Sequence, residues 1–84
     1  MNYWVYVLEN EGNRWYIGQT NNLEKRFERH NSQKVKSTKN RGKWNIIYKE
    51  KVLTRSEALR REEYLKSGAG RKFLKEILGW GAPR

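Results

Sequence analysis

The chain has 84 residues, with 19 Lys and Arg against 9 acidic residues and a net charge of +10. That is the length of one domain, 1–84, which buries only about 60–65% of its unfolded surface, so any ligand site is a surface groove built from the residues that also make the core. There is no Cys, no Asp and one histidine, His30; this excludes disulfide scaffolds, Cys-based zinc and iron–sulfur sites and thiol nucleophiles, and disfavours Asp-rich two-metal centres and the Ser-His-Asp triad.

Residues 3–10 and 15–20 are β-branched and aromatic, and Glu11-Gly12-Asn13-Arg14 between them is a turn sequence, which predicts a β-hairpin. The period of two sends Val5 and Val7 to one face and Trp4, Tyr6 and Leu8 to the other, and sets Tyr16 and Gly18 opposite Trp15 and Ile17. Asn21 or Asn22 caps a helix over about 23–31, anchored by Leu23 and Phe27 at i,i+4. Residues 32–43 hold five basic residues, no acid and almost nothing apolar, and read as a loop. Trp44 to Leu53 reads as a third strand, and Thr54-Arg55-Ser56-Glu57 is a capping box that opens a second helix running to about Lys66. Ser67-Gly68-Ala69-Gly70 breaks it, and a third helix over Arg71–Leu78 is stopped by Gly79. The order ββαβαα is an α+β fold, a three-stranded antiparallel sheet flanked by helices.

The apolar runs are far short of the ~20 residues of a membrane span. Tyr3 to Leu8 is too short for a signal-peptide core and runs into Glu9. The expectation is a soluble cytoplasmic chain, with no membrane, whose positive field draws in a polyanion, nucleic acid first. Residues 21–49 carry nine of the basic residues against two Glu, so the charge is concentrated in the first helix and the loop after it.

Three features resist assignment to a plain core. On the second helix Glu62 falls within the stripe formed by Ala58, Leu59 and Leu65. A carboxylate there costs several kcal/mol, on the order of a desolvated charge, unless it is paired, protonated or bound to a metal. Helix geometry leaves open an ion pair with Arg or Lys and a functional carboxylate. Arg26 and His30, at i,i+4, border the seam of the first helix; the guanidinium could hold a phosphate, or lie over Phe27 beside a rim histidine. Tyr6 and Tyr16 share a face of the hairpin beside Gly18, which leaves a gap for a ligand backbone or accompanies an ordinary cross-strand aromatic pair. A groove holding all of these suits phosphodiester cleavage with one hard cation. Glu62 and water would hold Mg²⁺, Arg26 would neutralise the growing charge, and a tyrosine of lowered pKa would take the proton of the attacking water.

Val5-Tyr6-Val7, then Tyr16-Ile17-Gly18, Arg26, His30 and Ala58-x-x-x-Glu62 followed by Lys66 together resemble the signature of the GIY-YIG nucleases, and most of all their small stand-alone members. The resemblance implies hydrolysis of nucleic-acid phosphodiesters with one Mg²⁺ or Mn²⁺ ion, leaving 5′-phosphate and 3′-hydroxyl ends. Tyr6 would be the general base or would orient the water, Tyr16 would bond the water or phosphate, Arg26 would bind the scissile phosphate with help from His30, and Glu62 would ligate the metal. Two departures stand. Val-Tyr-Val replaces Gly-Ile-Tyr but keeps the phenol. No Asn occurs beyond Asn45, so the Asn that many members carry after the Glu is replaced by Ser67 or a backbone group, or its contact is missing and turnover is low.

Lys25, Arg29, Lys34, Lys36, Lys39, Arg41 and Lys43 are the expected nucleic-acid contacts, reading phosphates and not sequence. Trp44 either stacks on a base or packs in the core. The expected substrate is DNA ahead of RNA, cut with low sequence specificity or by structure, with a protein partner as the other route to targeting. The competing class is a basic DNA- or RNA-binding module of the same fold that does not cut. An RNA-associated protein of the ribosomal type fits the charge and size but leaves the Tyr, Arg, His and Glu set without a purpose.

Overall fold

The computed structural model describes residues 2–36, 38–39 and 42–79. The hairpin forms as its sequence dictates, with β1 over Tyr3–Asn10 and β2 over Trp15–Thr20. Its turn is organised by one side chain: Asn10 Oδ1 accepts from the Gly12 and Arg14 amides at 3.0 and 2.8 Å. Asn13 sits at φ 61°, a left-handed conformation that Asn tolerates better than most residues.

Asn22 caps α1 (Leu23–Asn31) by accepting from the Lys25 amide at 3.1 Å. The third strand, β3, covers Trp44–Val52. Thr54 caps α2 (Arg55–Lys66) through the Glu57 amide. The third helix, α3, covers Gly68–Ile77 and starts three residues before the expected Arg71. Ser67 alone makes the joint. Its amide bonds the Tyr64 carbonyl and ends α2, and its hydroxyl accepts from the Gly70 amide and starts α3. Gly70 is there for space, since a Cβ on it would collide with the Tyr64 carbonyl oxygen.

The sheet order is β2-β1-β3, antiparallel throughout. With β1 in the middle and helices on both sides, Val5, Tyr6, Val7 and Leu8 are all fully buried. Val5, Val7 and Ile17 pack with Ala58, Leu65 and Leu74 of α2 and α3. Tyr6, Leu8 and Trp44 pack on the other face with Tyr16, Leu23, Phe27 and Ile46. The register between β1 and β3 slips between Val7 and Leu8, so that Ile47 and Tyr48, adjacent in sequence, both pack on the Val5 side. An ion pair at 2.9 Å between Arg61 and Glu50 ties α2 to β3.

The faces of the hairpin are those the period of two gives. The stripe of α2 is narrower than expected, because Leu59 is 45% exposed and the inward face is Ala58 and Leu65, with Glu62 beside them. The loop after α1 is less solvated than its composition suggests. Val35 and Thr38 within it are buried.

Candidate active site

Tyr6 and Gly18 are cross-strand partners. The missing side chain of Gly18 lets the Tyr6 ring lie across β2: a Cβ there would meet Tyr6 Oη at 2.8 Å and Tyr16 Cε1 at 2.9 Å. Of the two readings of Gly18, the structure shows the cross-strand aromatic pair: the two tyrosines fill the gap, which is not open to a ligand backbone. Their ring centroids are 6.2 Å apart.

From α1, His30 enters this cluster completely buried, not at a rim. Its ring lies 4.6 Å from that of Tyr16, and Nε2 is 3.0 Å from Tyr6 Oη. On its other side Nδ1 is 2.9 Å from Thr38 Oγ1, and that hydroxyl reaches the Val35 carbonyl at 3.3 Å. A carbonyl only accepts, so the Thr38 proton goes to Val35 and its oxygen accepts from His30 Nδ1–H. Nε2 is left with its lone pair, and the Tyr6 hydroxyl donates to it. The assignment follows from the network of bonds. Burial, and then the charges of Arg26 and Arg29, push the His30 pKa down to about 4, so the imidazole is neutral at physiological pH.

Thr38 is itself held in place. Trp44 Nε1 donates to the Thr38 carbonyl at 3.2 Å, and the Asn31 side chain clamps the Trp44 backbone with bonds of 2.8 and 3.1 Å. Trp44 is 2% exposed and packs in the core, so it is no platform for a base.

The half-buried Arg26 stands beside the Tyr6 phenol foremost and Tyr16 as well, and their interaction favours its charged form. Tyr6 is pushed up to about 12, by burial most of all, with the Arg26 guanidinium opposing. The expected tyrosine of lowered pKa is absent at this position: the resting group is a phenol, because loss of water around Oη outweighs the cation beside it.

Glu62 approaches from α2, on the opposite face of the sheet. Its side chain is 19% exposed, and Oε2 lies 2.8 Å from Lys66 Nζ. Its charge reaches Tyr6, whose pKa it helps to raise. The structure thus brings Tyr6, Tyr16, Arg26 and His30 into direct contact and sets Glu62 at the border. Among the described residues there is no group of three or more His, Cys, Asp or Glu side chains. One carboxylate fits a single hard cation of the Mg²⁺ type, which ordinarily keeps several waters and takes its remaining ligands from substrate phosphate. The exposed Lys66 can swing away to release Glu62.

Lys25 and Arg29 on α1, and Lys34, Lys36, Lys39 and Lys43 in the loop, are exposed, and none joins the ion pairs among the described residues. Arg41 lies outside the described residues. Ser67, one stand-in for the family Asn, has its hydroxyl engaged between Gly70 and Tyr64 at the helix joint. Thr38 and Asn31 were not legible as site residues. Thr38 lies within the basic loop and Asn31 at the end of α1, and only the fold reveals which atoms they meet.

Two phenols from neighbouring strands, a guanidinium and an imidazole from α1, and one carboxylate from the helix on the far face make up the candidate site of this small α+β domain, the group set of a nuclease. The chain belongs to the GIY-YIG family, whose catalytic domain matches residues 2–74. It is 41% identical over 66 residues to the UPF0213 protein YazA of Bacillus subtilis, covering 77% of this chain and 67% of that one. It is 37% identical over 76 residues to the UPF0213 protein SH2523 of Staphylococcus haemolyticus, covering 89% and 93%. The solution NMR structure of the UPF0213 protein BH0048 from Bacillus halodurans is similar at a TM-score of 0.57 and 32% identity, over 99% of this chain and 89% of that one.

Proposed function

We propose that the chain is a divalent-metal-dependent endonuclease that hydrolyses phosphodiester bonds in the cytoplasm, in DNA ahead of RNA, with low sequence specificity or by substrate structure. The observation that carries this reading is the hydrogen-bonded chain from Tyr6 through His30 to Thr38, with the Arg26 guanidinium beside its phenol end. It has the parts that phosphodiester hydrolysis needs: a cation for the phosphate and a path for the proton of the attacking water.

Arg26 binds the scissile phosphate, and Tyr16 positions the water or a phosphate oxygen. Tyr6 takes the proton of the water on one side of its oxygen as it gives its own to His30 Nε2 on the other, so no free phenolate has to form in a site that holds Tyr6 near 12. Substrate assists this transfer. A phosphate anion on Arg26 offsets the charge that depresses His30, and makes the imidazole a better acceptor. Glu62 would hold the cation, which when bound supplies Lewis-acid polarisation of the phosphoryl oxygen and neutralises the leaving oxygen.

The binding module is the second reading, favoured by the closed Glu62–Lys66 pair. Incubation of supercoiled plasmid, single-stranded DNA and RNA with the protein and Mg²⁺ or Mn²⁺ separates the two. Cleavage with 5′-phosphate ends is expected. Salt-sensitive binding without cutting in either metal assigns the binding module instead.

A further inference from the structure

A cavity of about 170 Å³ opens beside the catalytic cluster, lined by Tyr3, Gln19, Thr20, Asn21, Arg26 and Arg55. It wraps around the edge strand where the hairpin ends: Arg26 enters from the helix on one face of the sheet, and Arg55, the first residue of α2, from the helix on the other. Its lining holds two guanidiniums, a phenol, a hydroxyl and amides, and no carboxylate. Neither Arg26 nor Arg55 joins the ion pairs among the described residues. Glu62 lies seven residues beyond Arg55, two turns along almost the same face of α2 and about 10 Å away along its axis. Arg55, the cavity, Arg26 and Glu62 therefore lie along one path past the sheet edge.

We propose that this cavity binds a second phosphodiester, the neighbour of the scissile one, with Arg55 as its phosphate-binding residue. The inference rests on the nuclease reading of the same cluster and adds to it a subsite. A guanidinium presents planar paired donors to a phosphate, and hydroxyl and amide groups complete such a contact without adding negative charge. A water takes up about 30 Å³ of liquid volume, so the space admits a phosphate group with some of its hydration. Arg26 faces both sites, so a strand that fills the cavity also fixes the guanidinium over the cluster. The preferred substrate then has phosphates on both sides of a nucleoside, as in the interior of a chain.

The test uses binding to chain carrying Glu62→Gln, so that nothing is cut. The probe is a trinucleotide with two phosphodiester linkages, compared with versions in which one or the other linkage is a neutral methylphosphonate. The second charged linkage is expected to tighten binding about tenfold, the scale of one charge-assisted contact. Adding Arg55→Gln should abolish that increment and lower the salt dependence of log K by just under one unit, while Arg55→Lys restores the salt dependence. An increment that persists in Arg55→Gln, or is absent with Arg55 in place, overturns the subsite and leaves the nuclease reading standing. Failure of all the probes to bind overturns both.

Discussion

Two bonds fix His30 as a neutral acceptor, and its ionisation is the quantity that tests them. Its folded pKa near 4 lies below the ordinary 6.5, so between those values the unfolded chain binds more protons than the folded one. Stability from this group is present above pH 6.5 and is lost as the pH falls towards 4, with a slope of at most about 1.4 kcal/mol per pH unit. Urea unfolding from pH 4 to 7 should show this loss in the natural chain, beyond what His30→Gln shows. Equal slopes would place the imidazole in water. Thr38 is the residue that sets the tautomer. Thr38→Val, equal in volume, should remove the acceptor of Nδ1–H, lower cleavage by about tenfold or more on the scale of one catalytic hydrogen bond, and scramble the two ring-nitrogen signals of His30 in NMR spectra. Thr38→Ser should restore both, and unchanged nitrogen signals in Thr38→Val would remove Thr38 from the site. Tyr6, Tyr16, Arg26 and His30 could be singled out in the sequence because strand period and helix spacing set them beside the seam and the family resemblance joins them, though not that His30 is wholly buried. Thr38 could not, since its partner is eight residues away through a loop with no periodicity.

Among the elements, the joint between α2 and α3 departs most from the sequence reading. Three small residues after Ser67 look like a break, yet the two glycines there do different things. Gly70 is pressed against the Tyr64 carbonyl, backbone against backbone, while a Cβ on Gly68 would meet nothing within 4 Å. Gly70→Ala should therefore destabilise by about 3 kcal/mol or more, as a forced backbone shift does. Gly68→Ala should be neutral or stabilise by up to about 1 kcal/mol through helix propensity and a less free unfolded chain. Chemical denaturation of both variants measures the difference. Similar losses in the two would mean that the helices do not meet as closely as the Gly70 contact requires. Gly18 belongs to the same lesson. Its lack of a side chain was visible in the sequence, but its purpose, a bed for the Tyr6 and Tyr16 rings, depends on the cross-strand register.

For the molecule as a whole, charge and shape agree. The exposed cations of α1 and the loop stand on the face that carries Tyr6, His30 and Thr38, so the positive field of a chain with a net charge of +10 is strong beside the cluster. No helix among the described residues is long and apolar enough to cross a membrane. The α+β order followed from hydrophobic pattern and turn residues, while the nuclease class was legible through the family resemblance that Tyr6, Tyr16, Arg26, His30 and Glu62 carry in their order and spacing. The Glu62–Lys66 pair is the ion pair with Arg or Lys that helix geometry left open beside a functional carboxylate, and the sequence did not say which cation it takes. Glu62 is thus the residue on which the account turns, and one measurement isolates it: nicking of supercoiled plasmid in Mg²⁺ or Mn²⁺ by Glu62→Gln beside the natural chain, with DNA binding followed in parallel. Binding should stay within a few-fold of the natural chain, as expected when no phosphate contact is removed, while cutting falls by at least about a hundredfold, the scale of losing a metal-bound electrostatic contact. Cutting by Glu62→Gln at the natural rate would contradict the account.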